Sequence, residues 1–524
     1  MQTMTDEVDP TGGSGARLAL IAVLIVICSL TALWPGDIPF INDEPHFLYK
    51  ALRANQHGQL ESTGLRGSLG YQYGPLPVWM YQGLLAISHN LRVVVVLHAL
   101  LISGSVAAGL LWIGRTLRLD PWFIVVIMVS PYTWFYSRAL WDSLNLPLST
   151  LAVASYASFL SRATWWKLLV TLSCMALMPM VHPMSAPLLA PLAGHMLFFR
   201  WRNLLRWWGV VMGVVAGAVI LYLPYLKALQ YEAGHELGMT GPDGWWFPLL
   251  GARLMSASGI DYMFGENWIT LASGIGRAML KTAWAVSLVS YPLMWTAIVI
   301  GAFKVWMLFK RRNAATTLDH IYVLAVTVML AQCVLDGVAH IYNHPHYYGG
   351  TWVIYPLLAW LGFDLLTARV RSFKLILPLQ GIALASITIF LALAIHQNRG
   401  LRTLNYGACL GEEVRVVREL NEKGVHGPFG FFDPNGQSIA DDPFNFGDHV
   451  ALAAIHTNVN PFLRYPFCLN LIQELTAPGS AAAPEGVWMG IVTAERDPTS
   501  VELKVVQIVP PNQQPKRNEA HQRQ

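Results

Sequence analysis

Two neighbouring acids, Asp43 and Glu44, stand in the stretch Ile41-Asn-Asp-Glu-Pro-His-Phe-Leu-Tyr-Lys50, directly after the first apolar segment of the chain. Carboxylates at a water–lipid boundary are costly to desolvate, so their presence calls for a reason. One reason is chemical: an outward-facing carboxylate suits general-base work on a hydroxyl or amine acceptor. The other is structural: Asp43 caps a helix that starts near Pro45, its oxygen taking open backbone N–H groups. Other groups able to bind or react follow at similar boundaries. They are His46 and Tyr49, then Tyr73 in Tyr71-Gln-Tyr-Gly-Pro-Leu-Pro-Val-Trp79, then Arg138 and Asp142 in a tight turn. A last group, His340, His344, His346 and Tyr347, sits in a short loop between two apolar segments. Arginines and lysines at headgroup level suit a lipid phosphate, through charge-assisted hydrogen bonds. Plainer roles stand beside these. Tyr and Trp collect at interfaces as anchors, and Arg138 and Asp142 can simply pair across their turn. The three histidines are also candidate metal ligands, since neutral imidazole is a common one. His344 and His346 point to the same side if the loop is extended, but Pro345 lies between them, and an interfacial polar loop is the simpler reading.

The elements that must position these groups are membrane helices. Of 524 residues, 54% are hydrophobic and 13% charged, half of the roughly 25% charged content of soluble domains. The net charge of +4 comes without a long basic block, so nucleic acid is not implied. Arg17 precedes an apolar run that ends at Trp34-Pro-Gly without a small-x-small cleavage site, which reads as an uncleaved signal anchor. Residues 1–16 read as a disordered cytoplasmic N-terminus. About eleven segments then approach the ~20 apolar residues a bilayer needs. They lie near 18–34, 92–113, 121–137, 143–160, 168–183, 185–199, 208–226, 282–303, 320–338, 352–368 and 375–395. The clusters Arg115/Arg118, Arg162/Lys167, Arg200/Arg202/Arg206, Lys304/Lys310/Arg311/Arg312 and Arg369/Arg371/Lys374 all fall on one side, which the positive-inside rule makes cytoplasmic.

That topology puts 35–91, 138–142, the turn at His182-Pro183, 227–281, 339–351 and everything after His396 outside. The first external loop reads as two interfacial amphipathic helices, 45–57 and 75–88, joined by the glycine-rich connection Gly64–Gly74. From 397 the composition turns soluble. Gly411–Glu422 has helix spacing, Val487–Ala494 and Val501–Val509 read as strands, and 511–524 is a polar tail. The expected architecture is therefore a polytopic α-helical membrane protein over residues 17–396, with a small extracytoplasmic α+β domain over 397–510. Five cysteines are present, without a CxxC or Cys/His metal spacing. Cys409 and Cys468 are the disulfide candidates, because only their compartment permits a bridge.

With acids, spans and outer loops in place, the chain resembles the GT-C glycosyltransferases. It is most similar to the protein O-mannosyltransferase and aminoarabinose transferase-like branch of bacterial membrane proteins. The residues that carry the likeness are Asn42-Asp43-Glu44-Pro-His-Phe-Leu-Tyr49 after the first span, and Tyr73-Gly-Pro-Leu-Pro77 downstream. The resemblance implies inverting transfer of a sugar from a polyprenyl-phosphate-linked donor to an acceptor on the outer face. Asp43 would be the base and Glu44 would shape the same pocket. Arg66, Arg138, Arg253, Arg277 and Lys281 are the candidates to hold the donor phosphate. The loop of His340, His344, His346 and Tyr347 would close on donor or acceptor, with His46, Tyr49, Tyr73 and Asp142 as further substrate contacts. No cofactor is implied with certainty; some relatives use a divalent metal at the acidic motif, and that requirement stays open. The partners implied are the lipid-linked donor, a glycan, lipid or protein acceptor, and membrane lipids. The place implied is the inner (plasma) membrane, with the N-terminus cytoplasmic and the C-terminal domain outside.

Two other classes compete. A transporter or flippase of a lipid-linked substrate should place acids or broken helices near the bilayer midplane. Here the spans are nearly free of charge, with Asp336 and Asp364 close to their ends. A non-catalytic cell-envelope binding protein would not need the Asp43-Glu44 pair.

Overall fold

In a computed structural model, the described residues are 13–40, 43–65, 72–141, 143–229, 272–310, 315–339, 345–368, 374–401, 407–423, 465–476, 489–496 and 501–509. Helix dominates them. The first apolar helix is α1 (Gly13–Thr31), and two helices follow it, α2 (Asp43–Gln56) and α3 (Leu76–Ile87). Both fall within two residues of where amphipathic spacing puts them. They pack on each other through Phe47, Leu48, Ala51 and Leu52 of α2 and Val78, Tyr81 and Leu85 of α3, all buried.

The long apolar helix α4 (Leu91–Leu117) is defined at both ends by local chemistry. The Asn90 side chain accepts from the Arg92 N–H, and Arg118 closes the helix in the left-handed conformation, φ 57°. The next expected span, 121–137, is instead two short helices, α5 (Pro121–Met128) and α6 (Pro131–Arg138). Proline cannot donate to the ladder, and Ser130 takes over as a cap by accepting from the Thr133 N–H. The helices α7 (Asn145–Ser161), α8 (Trp165–Leu177), α9 (Ala186–Arg206) and α10 (Trp208–Ala228) match the expected spans, with α9 kinked at Arg200. No residue of α10 is buried, and Val219, Ile220 and Leu223 are wide open, as suits a lipid-facing helix. After residue 271 come α11 (Gly274–Ser287), α12 (Ser290–Lys310), α13 (Thr317–Ala339), α14 (Ile354–Thr367) and α15 (Ile376–Asn398).

Among the described residues, five helical stretches are long and apolar enough to cross a membrane: Leu91–Leu117, Trp208–Ala228, Gly274–Leu308, Thr317–Val338 and Ile376–Asn398. Shorter apolar helices such as Trp165–Met180 and Ile354–Thr367 complete the bundle. The protein is thus a mostly helical, multi-pass membrane protein. Close approach of α12 and α14 is set by Gly362, where a Cβ would lie 1.9 Å from the Leu293 carbonyl oxygen.

The C-terminal part contains short antiparallel strands β1 (Gly400–Leu401) and β2 (Gly407–Ala408), helices α16 (Leu410–Glu422) and α17 (Tyr465–Thr476), and a hairpin of β3 (Met489–Arg496) and β4 (Val501–Val509). The hairpin carries one irregularity, between Ile491 and Val492. The start of α16 is tied to the chain just after α1: Gly411 N–H donates to the Gly36 carbonyl at 2.8 Å and Leu410 N–H to Ile38 at 3.0 Å. Pro39 and Cys409 form an isolated antiparallel bridge there. Two glycines permit this approach, since a Cβ on Gly36 would lie 3.2 Å from the Gly411 Cα. The expected Cys409–Cys468 disulfide is not formed; the two are separate buried thiols. Burial pushes the Cys409 thiol up to about 12, which keeps it from the reactive thiolate form.

Candidate functional site

Helix α2 begins at Asp43 itself, so the acidic pair forms its first turn rather than preceding it. Position 42, where a capping residue would stand, lies outside the described residues. Both acids sit at the positive end of the helix dipole, yet their surroundings differ. Asp43 is exposed and Glu44 is fully buried. The same turn carries the half-buried His46. One turn on, the Arg53 guanidinium lies over the Tyr49 ring at 5.0 Å. Arg53 then clamps Glu474 of α17 with two bonds of 2.7 and 2.9 Å, helped by Gln56 at 2.8 Å. Lys50 holds the following loop through Thr63 Oγ1 at 3.0 Å and the Gly64 carbonyl at 2.7 Å. The acidic helix is therefore fixed on one side by its own loop and on the other by the C-terminal part.

A second group of charges lies where α1 ends. Trp34 has φ 53°, an uncommon conformation for a bulky residue. Its ring stacks on His396 at 4.2 Å, and its carbonyl accepts from Arg138 at 2.7 Å and from the Asp37 N–H at 2.9 Å. His396 in turn meets Asp37 at 2.8 Å. Burial raises the Asp37 carboxyl above its ordinary value, opposed by His396, Arg138 and Arg92. Arg138, expected to pair with Asp142 or to hold a phosphate, is thus buried between the Trp34 carbonyl and the Trp134 ring. Asp142 lies outside the described residues.

The acidic turn of α16 completes this centre. Glu412 is matched by Arg415, with bonds of 2.7 and 3.0 Å, and by Arg399 at 3.8 Å. Its neighbour Glu413 is fully buried, and Glu44 is close enough for their charges to oppose each other. Beside this joint is a cavity of about 330 Å³, lined by His89, Asn90, Arg92, Val414, Arg418 and Leu475 among others. Arg92 and Arg418 give it a basic wall at the N-terminal end of α4.

A separate aromatic cluster gathers other expected residues. Gly64 and Leu65 pair with Tyr73 through backbone bonds of 2.7 and 2.6 Å. The Tyr73 ring lies 4.4 Å from His182, which lies 5.6 Å from Tyr347. Gly74 makes this possible, because a Cβ there would meet the Met180 backbone at 2.3 Å. His182 accepts from the Met184 N–H, and burial holds its ring down to about 3, so it stays neutral. The segment after Tyr347 is anchored by Tyr348 on Asp336 at 3.2 Å and by Trp352 on the Leu146 carbonyl at 3.1 Å.

Arg66, Arg253, His340 and His344 lie outside the described residues, as does the side chain of His346. Lys281 is exposed on α11, and Arg277 of the same helix holds the Ala272 carbonyl at 2.7 Å. That helix packs on α15 rather than on the acidic helix α2. No group of three or more metal-ligating side chains occurs among the described residues. Asp37, His396, Arg92 and Glu413 belong to the acidic centre without being expected there from the sequence. The available signal was Glu412-Glu413 opening a helix of clear amphipathic spacing, the same acid-first pattern as Asp43-Glu44.

No protein-family model and no curated protein matches the chain. Among solved structures it is similar to the crystal structure of ArnT from Cupriavidus metallidurans bound to undecaprenyl phosphate. The identity is 11% and the TM-score 0.45, over 88% of this chain and 78% of that one. It is also similar to the apo form of the same protein, at 12% identity and a TM-score of 0.41, over 88% and 77%.

Proposed function

We propose that this protein is a membrane glycosyltransferase of the GT-C type, moving a sugar from a polyprenyl-phosphate-linked donor to an acceptor on the extracytoplasmic face with inversion. The observation that carries this reading is the acidic first turn of α2. It stands directly after the first span, with Asp43 open to an approaching acceptor and Glu44 buried behind it. Asp43 is the general base: it takes the acceptor proton as the acceptor oxygen or nitrogen attacks the sugar, and the lipid phosphate leaves. Cationic side chains at headgroup level then stabilise the departing phosphate. Arg92 and Arg418, on the wall of the cavity beside the acidic centre, join Arg277 and Lys281 as candidates. The Tyr73–His182–Tyr347 cluster offers flat apolar faces of the kind that pack against sugar rings. In this reading the N-terminus is cytoplasmic and the C-terminal part lies outside, covering the acidic helix.

The test is transfer by the purified full-length protein in lipid nanodiscs, offered a panel of radiolabelled polyprenyl-phosphate sugars with a mixed glycan and lipid acceptor fraction. Release of the lipid phosphate coupled to label in the acceptor supports the reading. Movement of intact donor across proteoliposome membranes, without bond cleavage from any donor, overturns it in favour of a flippase.

A further inference from the structure

Glu413 has no task in the chemistry above, and its surroundings are unusual. It lies in the first turn of α16, at the joint where Leu410 and Gly411 bond to Ile38 and Gly36. No part of it is exposed, and neither carboxylate oxygen has a hydrogen-bond partner among the described residues. Among the described residues, the charged groups around the joint are Glu412, Glu474, Asp37 and their partners, with Arg92 and Arg418 on the wall of the adjoining cavity. Glu412 is matched by Arg415 and Arg399, Glu474 on α17 by Arg53, and Asp37 in the loop after α1 by His396. The buried polar groups of α17 are the neutral Asn470 and Gln473. What acts on Glu413 is another acid, the fully buried Glu44 of α2. An ionised carboxyl buried without cation or donor is far more costly than a protonated one. Two buried acids whose charges oppose each other resist being ionised together. Neither oxygen of Glu413 has a donor among the described residues, so this buried acid holds its proton.

We propose that Glu413, supplied by the C-terminal part, is a positioning residue of the Asp43–Glu44 site: a neutral carboxylic acid, fully buried and unpaired at the α16 joint among the described residues, whose proton spares that joint a negative charge near Glu44. Burial, then the charges of Glu44 and Glu412, push its carboxyl well above the ordinary range. The acidic motif is complete only with α16 docked and Glu413 protonated. Loss of that proton puts an unpaired negative charge into the joint and loosens α16 from residues 36–39. The effect on turnover rests on the glycosyltransferase reading, whereas the protonation and the docking do not.

The experiment compares full-length wild type, Glu413→Gln and Glu413→Ala in nanodiscs across pH. Glutamine keeps the shape of the neutral acid and cannot ionise. Infrared difference spectra at neutral pH should show a protonated-carboxyl stretch in the wild type that is lost in Glu413→Gln. Hydrogen exchange at residues 36–40 and 410–413 should rise on the alkaline side in the wild type and stay flat in Glu413→Gln. Turnover should fall in Glu413→Ala, be largely rescued by Glu413→Gln, and lose its alkaline limb in that variant. Identical infrared spectra, or the same pH dependence of exchange in wild type and Glu413→Gln, overturns the proposal. Should the wild type transfer no sugar, the glycosyltransferase reading falls, and the infrared and exchange arms still decide the state of Glu413. If Glu413→Ala does not fold, Glu413→Gln carries the comparison alone.

Discussion

Cutting the clamp between Arg53 and Glu474 should release the C-terminal helix α17 from the acidic helix α2. The two bonds, at 2.7 and 2.9 Å, join an arginine 32% exposed to a glutamate 15% exposed. A buried charged hydrogen bond is worth about 1.5–3 kcal/mol, and a fully exposed ion pair about 0–1 kcal/mol. A planar fork that is one-third open to water belongs between these limits, at about 1–2 kcal/mol for the whole clamp. That is roughly a 5–30-fold change in the docking equilibrium. The assay is a double-mutant cycle of Arg53→Ala and Glu474→Ala, read by hydrogen exchange over residues 465–476. Either single variant should raise exchange by that factor, the double variant should add little more, and the effect should shrink in high salt. Arg53→Ala also strips the guanidinium from the Tyr49 ring, but it does so with or without Glu474, and the cycle cancels that effect. A coupling below about 0.3 kcal/mol would refute the claim that this clamp fastens the C-terminal part to the site.

Four other outcomes follow from the same structure. Gly74→Ala forces a Cβ to within 2.3 Å of the Met180 backbone and should cost about 1–3 kcal/mol in thermal unfolding. Gly83→Ala, with open space around it, should be neutral or slightly stabilising in the same assay. The His182 pKa falls from an ordinary 6.5 to about 3 through burial. Its contribution to stability is therefore full above pH 6.5 and drains away as the pH falls toward 3. His182→Gln should flatten that acid-side loss in melting curves, and an unchanged acid slope would contradict the burial argument. In the membrane bundle, Tyr156 Oη meets His195 Nδ1 at 2.5 Å, and His195 Nε2 meets His320 Nδ1 at 3.3 Å. Tyr156→Phe leaves a ring nitrogen of that chain without its phenol, so a loss of about 1–3 kcal/mol is expected in thermal unfolding.

Much of this architecture was legible in the sequence because lipid imposes a coarse rule that single residues rarely override. A run of apolar residues such as 92–113 becomes a helix whatever its neighbours do, since no other structure satisfies its backbone. The exception at 121–137 was also written in the chain: Ser130-Pro131 caps one helix and stops another. The acidic turn at Asp43-Glu44 could be found because its meaning is local, depending only on a preceding span and a following helix. The groups that surround it could not. Across more than three hundred residues of chain, His396 meets Asp37 and Glu413 comes within reach of the charge of Glu44, near glycines at 36 and 411 whose closeness no local pattern announces. Arg138 illustrates the same limit in reverse. Its neighbour in sequence suggested an ion pair or a phosphate; Asp142 lies outside the described residues, and no local pattern announced the bond from Arg138 to the Trp34 carbonyl.

The central claim concerns Asp43, and one substitution addresses it most directly. Asp43→Asn keeps the size of the side chain and the helix start but removes the basicity. The account predicts a monodisperse protein with unaltered hydrogen exchange across α2 and sugar transfer reduced by about 10²–10⁴-fold, the range that a general base contributes. Transfer at the wild-type rate in Asp43→Asn would contradict it and leave Asp43 as no more than a residue that starts a helix.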